Sequence, residues 1–145
     1  MVLNMIKDKN FQTYSTSDVV NYYQCLQQLQ PAEETLIKLL RNQLSNMKML
    51  DLGVGGGRTT KHFFPLVKDY IGVDYSSSMI EACQQRFSPY YPSIKLIVGD
   101  ARKLSQFADN SFDLILFSFN GIDYISHEDM SLIHISEPTR PIAIS

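Results

Sequence analysis

The sequence predicts an open α/β sheet of mostly parallel strands, with helices on both faces and a helical cover at its N-terminus. Three observations carry this. Short apolar runs at 48–52, 70–74, 94–98 and 112–119 are separated by stretches in which apolar residues recur at helical spacing. Parallel strands need such crossovers and are buried on both sides, so they read as continuous rather than alternating runs. Glycines crowd behind the first run, and an acid stands at or near the end of each of the first three: Asp51, Asp74 and Asp100.

Taken in order, Ser17 caps a helix over Asp18 to Leu29, with Val19, Tyr22, Tyr23, Leu26 and Leu29 along one side. Pro31 and the acidic pair Glu33 and Glu34 open a second helix, whose apolar side is Leu36, Ile37, Leu39, Leu40 and Leu44. Lys48 to Leu52 is the first strand, and Arg58 to Val67 is helical as far as Pro65 allows. Tyr70 to Asp74 is the second strand. Ser76 or Ser77 caps a helix carrying Met79, Ile80, Cys83 and Phe87, which Ser88-Pro89 ends. Ile94 to Val98 and Phe112 to Phe119 are the third and fourth strands. Residues 1–46 are thus the cover, and 47–130 the sheet domain.

Composition narrows the partners. A chain of 145 residues, 44% hydrophobic, supports one core. Thirteen basic against fifteen acidic residues, without clusters of either sign, predict no nucleic-acid or membrane surface and favour a small-molecule ligand. Nowhere do ~18 apolar residues run together, and the N-terminus lacks a secretory pattern, so the cytoplasm is the expected compartment. Cys25 and Cys83 lie in separate helical stretches and read as reduced thiols. No metal-ligand spacing stands out.

The glycine segment "MLDLGVGGGR" places Gly53, Gly55, Gly56 and Gly57 between the first strand and its helix. That is the carboxyl edge of the sheet, where open α/β folds bind ligands. A phosphate loop of the Gly-x-x-x-x-Gly-Lys-Ser/Thr type is one residue longer and needs Lys where Arg58 stands. A dinucleotide fingerprint fits Gly53 and Gly55 but requires a third glycine at position 58; Asp74, about twenty residues on, is compatible with it. By itself the loop leaves the ligand open.

Four segments in order resemble the class I S-adenosylmethionine-dependent methyltransferases, whose sheet is Rossmann-like. "LDLGVGGGRTT" is similar to that family's first motif at Asp51, Gly53, Gly55 and Gly57. "IGVDYSSSMI" is similar to the second, "VGDARKL" to the segment after the third strand, and "FDLILFSFNGIDYI" to the fourth-strand motif. The resemblance implies S-adenosylmethionine as cofactor. It assigns both ribose hydroxyls to Asp74, the adenine amine to Asp100 and the adenine ring to the backbone N–H of Ala101. Tyr75 and Met79 would pack on the adenosine, Asp51 would face the cationic amino-acid tail, and Phe117 to Asn120 would lie beside the methionine portion. Methyl transfer then needs alignment more than acid–base chemistry, so no catalytic residue is assigned. Tyr14 is a candidate to close over the cofactor, and Asn120 and Asp123 could face an acceptor. Arg58 reads as a first-turn residue with a solvated head, His62 as structural, and His127 as a surface residue beside a Ser126–Asp129 capping box. Two other readings remain: a cofactor-binding module without catalysis, and an NAD-dependent oxidoreductase, which Asp51, Arg58 and the Gly99-Asp100-Ala101 segment disfavour.

The last segment, "SLIHISEPTRPIAIS", departs from the family pattern. Ser131 to Arg140 resembles a translated sequencing-library adapter, whose TCT CTT ATA CAC ATC TCC GAG CCC ACG AGA reads these ten residues codon by codon. Residues 131–145 are therefore expected to be non-native, and about four of the seven family strands to be present. The chain is then a truncated fragment, inactive alone, whose fourth strand shows an unpaired apolar edge.

Overall fold

The computed structural model describes residues 12–13, 15–118 and 140–143, the last by backbone only. Tyr14, Phe119, Asn120, Asp123 and the Ser126–Asp129 segment with His127 lie outside the described residues. The elements are α1 (Ser17–Cys25), α2 (Pro31–Leu40), β1 (Lys48–Leu52), α3 (Arg58–Phe63), β2 (Asp69–Asp74), α4 (Ser77–Arg86), β3 (Lys95–Val98), β4 (Leu114–Phe117) and β5 (Arg140–Ala143). The strands form one sheet in the order β3-β2-β1-β4-β5, and every neighbouring pair is parallel. β1 is central, and the chain leaves it first toward β2 and β3, then resumes on its other side with β4. That reversal makes the carboxyl ends of β1 and β4 the topological switch point, the place where open α/β sheets bind ligands.

Side-chain alternation along β1 divides the core. Met49 and Asp51 face the helices, in a layer with Leu36, Phe63, Tyr70, Ile80, Cys83, Phe87 and Leu116. Leu50 and Leu52 face a second layer with Val73 and Phe117, closed by Ala101, Leu104, Phe107 and Phe112. Among the described residues this second face carries no helix; the loop after β3 covers it, with Phe107 and Phe112 meeting edge to face at 5.2 Å.

Several boundaries are shorter than the sequence predicts. α1 stops at Cys25 rather than Leu29, because Leu26 turns extended and its N–H bonds back to the Tyr23 carbonyl. α3 ends at Phe63 rather than Val67, since Pro65 has no N–H to continue the ladder. β4 is limited to Leu114–Phe117, with Phe112 packed in the loop layer instead of the strand.

The expected bare edge of β4 is not found. β5 pairs with it from Leu114↔Arg140 to Phe117↔Ala143, so backbone groups that would have been open are partnered. Pro141 cannot donate to a ladder and so suits an outermost strand, which is where β5 lies.

Leu116 is fully buried at the centre of the helix-bearing layer. Leu116→Ala should cost about 2–5 kcal/mol through lost burial and the cavity left behind. Urea denaturation should show a lower midpoint at unchanged slope.

Candidate functional site

β1 delivers the chain into a loop of left-handed conformations: φ is 71° at Gly53, 53° at Gly55 and 91° at Gly57. Residues with a Cβ rarely adopt these angles. Part of the bareness also serves internal packing. A Cβ on Gly56 would stand 2.5 Å from the Gln24 Cα, and one on Gly57 would stand 2.4 Å from the Phe87 ring. The Phe117 ring lies 3.4 Å from where a Gly53 Cβ would be, so the predicted wall residue at the tip of β4 packs directly on the loop.

Asp74 ends β2 beside this loop. Its Oδ2 accepts the Gly55 N–H at 2.9 Å and its Oδ1 accepts the Ser76 N–H at 2.9 Å. Burial lifts its pKa to about 6, against the backbone N–H bonds of Ser76, Gly55 and Tyr75, which favour the charged form. Ser76 caps α4 through Met79 N–H, as its position before the apolar stripe predicts. Met79 is buried, and Tyr75 is half-buried.

Asp51 lies deeper. It is 1% exposed, and its Oδ2 accepts from the Thr59 hydroxyl at 2.6 Å and the Tyr70 hydroxyl at 2.7 Å. Burial pushes its pKa up to about 7, with Thr59 and Tyr70 opposing and the nearby Glu33 carboxylate adding to the rise. Asp100 is half-buried and clasped by its neighbour. Its Oδ1 accepts from the Arg102 N–H and Nε, both at 2.9 Å, and its Oδ2 accepts from Nη2 at 2.6 Å. Burial alone would raise Asp100, but the Arg102 contacts hold it below the ordinary carboxylate range. Ala101 packs into the second layer.

Arg58 differs from its predicted solvated state. It is 7% exposed, its Nη2 donates to Glu33 Oε1 at 2.7 Å, and Nη1 contacts Glu33 Oε2 and the Gln28 carbonyl. Glu33 is wholly buried. It also accepts the N–H of Gln30, capping α2 at 2.8 Å, and hydrogen-bonds the Ser118 hydroxyl beyond β4. Burial works to raise Glu33, but Arg58, Gln30 and Ser118 bring it below the ordinary range. Glu33, Ser118, Thr59 and Tyr70 escaped the sequence reading. The only available signal was Glu33 three positions after Gln30, a spacing that also suits an ordinary exposed cap. His62 bonds the Gln27 carbonyl at 2.8 Å. No cluster of metal-ligating side chains occurs among the described residues, and none of their helices is long and apolar enough to cross a membrane.

A parallel sheet with a reversal beside β1, a left-handed glycine loop and a carboxylate at the tip of β2 define an α/β domain of the kind that binds a ligand at its strand ends. The sequence pattern of the family described as "Methyltransferase domain" matches residues 49–140, and the chain belongs to that family. The fold is that of the class I S-adenosylmethionine-dependent methyltransferases. The demethylmenaquinone methyltransferase of Renibacterium salmoninarum is 31% identical over 94 residues, covering 65% of this chain and 37% of that protein. Its counterpart from Paenarthrobacter aurescens is 33% identical over 94 residues, covering 65% and 35%. The chain thus spans about a third of the length of these relatives. Phosphoethanolamine N-methyltransferase 1 of Haemonchus contortus, solved with phosphoethanolamine and S-adenosylhomocysteine, shares the fold. Its TM-score is 0.65 at 23% identity, over 87% of this chain and 28% of that one.

Two outcomes follow from the buried charges. Arg58→Ala strands the Glu33 carboxylate and should cost about 3–5 kcal/mol. Replacing both residues by apolar ones of similar volume should restore much of that, as read by chemical denaturation. The acids also separate by pH. Asp51 and Asp74 have folded values raised from 3.8 to about 7 and about 6, so their contribution is fully present below 3.8 and is lost as pH rises through those values. Glu33 is lowered from 4.5, so its contribution is present above 4.5 and is lost as pH falls through its folded value. Asp51→Asn should therefore flatten the decline in unfolding free energy between about pH 4 and pH 7.

Proposed function

We propose that this domain binds S-adenosylmethionine and belongs to an enzyme that transfers its methyl group to a small-molecule acceptor. The observation that carries the reading is Asp74. The backbone N–H groups of Gly55, Ser76 and Tyr75 hold its carboxylate at the tip of β2, and the two oxygens of a carboxylate offer about four lone-pair sites between them. A vicinal diol would bridge the two oxygens, at ~1.5–3 kcal/mol for each bond to the charged carboxylate. The donor set agrees with the rest of such a ligand. The Gly53, Gly55 and Gly57 backbone admits close approach, and Asp100, kept ionised by Arg102, is an acceptor suited to an exocyclic amine. The Ala101 N–H would address the adenine ring, and Tyr75 and Met79 would wall the adenosine.

Asp51 stands behind the loop as the counter-charge for the ammonium of the amino-acid tail, directly or through water. Phe117 would close the methionine side at the tip of β4. The sulfonium of the bound cofactor supplies an activated methyl. The residues of this chain then orient the donor and exclude water, with no proton transfer required of them. The relatives' names point to small acceptors, a demethylmenaquinone in two bacterial proteins. We further propose that residues 131–145 are non-native and that the 145-residue polypeptide does not turn over alone.

Titration calorimetry of the complete protein carrying this domain should show binding of S-adenosylhomocysteine and none of NAD. Asp74→Ala should abolish the binding signal while circular dichroism stays unchanged. A preference for NAD would sink this reading in favour of an oxidoreductase.

A further inference from the structure

The segment between α1 and α2 lies against the glycine loop, and basic side chains from α3 and α4 bond along it. Arg86, the last residue of α4, is the centre of this fastening. Its Nη1 donates to the Gly56 carbonyl at 3.0 Å, to the Gln24 carbonyl at 3.3 Å and to the Leu26 carbonyl at 3.5 Å. Its Nη2 donates to the Gln27 side-chain carbonyl at 2.8 Å, and the guanidinium carbon lies 5.3 Å from the Phe87 ring centroid. Lys61 reaches the same Gln27 oxygen at 2.8 Å. His62 bonds the Gln27 backbone carbonyl, and Arg58 the Gln28 carbonyl.

Apolar burial anchors only one end of this segment, where Leu29 packs half-buried against the core. α1 contains no buried residue, and Tyr22 on it is 59% exposed. Over residues 24–28 the contacts to the glycine loop and its flanking helices are polar bonds to the cations. They also reach the loop: Asp74 Oδ2 grips the N–H of Gly55 from inside, and Arg86 grips the carbonyl of Gly56 from outside. Between them they restrain a run of glycines that would otherwise sample many backbone states.

Resting on the cofactor reading above, we propose that Arg86 is a positioning residue that couples the 24–28 strap to the glycine loop, so that ordering of the loop for its ligand and closure of the strap are one event. A planar guanidinium spans several carbonyls at once, whereas an ammonium is a single point of contact. The role is thus specific to arginine rather than to positive charge.

The test compares wild type, Arg86→Ala, Arg86→Lys and Gln27→Ala in the complete protein. S-adenosylhomocysteine affinity is read by calorimetry, and strap opening by limited chymotrypsin cleavage after Tyr22 and Tyr23. We expect Arg86→Ala to weaken binding by roughly tenfold, Arg86→Lys and Gln27→Ala by about threefold, the scale of one lost charged hydrogen bond or less. Cleavage at the strap should be slowed by S-adenosylhomocysteine in wild type and unaffected by it in Arg86→Ala. Should Arg86→Ala not fold, the other two variants decide by the same readouts. Folded variants that bind as wild type does, with ligand-protected straps, would overturn the coupling while leaving the cofactor reading intact. A wild-type protein that fails to bind S-adenosylhomocysteine overturns that reading and this inference with it.

Discussion

The ion pair between Glu33 and Arg58 joins three parts of the chain. Glu33 closes the N-terminus of α2, Arg58 is the first residue of α3 directly behind the glycine loop, and Ser118 follows β4. Two charges out of water are unfavourable singly, and each is tolerated because the other and several hydrogen bonds complete its shell. The geometry is correspondingly demanding. Moving the cover helix would take Glu33 with it and leave the Arg58 guanidinium without its carboxylate in the buried layer near Asp51. The cover is therefore an electrostatic part of the loop's foundation.

Much of the architecture was legible because it is local. β1 begins and ends where its apolar run does, α4 starts after the Ser76 cap, and Asp74 lies at the tip of β2 as the strand-end acid implied. These features depend on period, capping and chain direction, all of which are written in neighbouring residues. The glycine loop was also placed correctly between strand and helix. Its ligand class came from the order of four motifs rather than from the glycines.

What escaped prediction depends on contacts across long separations. Nothing near Arg58 reveals that a carboxylate twenty-five residues earlier neutralises it. An arginine in the first turn of a helix ordinarily reaches water, as Lys61 and His62 partly do. Likewise α1 ends early because the chain must descend onto the loop, a tertiary requirement that overrides the helical spacing of Leu26 and Leu29. The partner of β4 is a similar case. A strand edge attracts whatever extended backbone is available, and the residues at 140–143 supply one despite carrying a proline.

The contact between Gly56 and the backbone of Gln24 gives the loop a second meaning. Its bare positions are shaped by two neighbours, a ligand on one side and a segment of the same chain on the other. Transplanting "LDLGVGGGR" into another sheet would carry over the left-handed turns and the reach toward a ligand, yet leave an uncovered groove where the strap belongs. The portable unit is consequently discontinuous: residues 23–28 and the Arg86 that fastens them must travel with the loop.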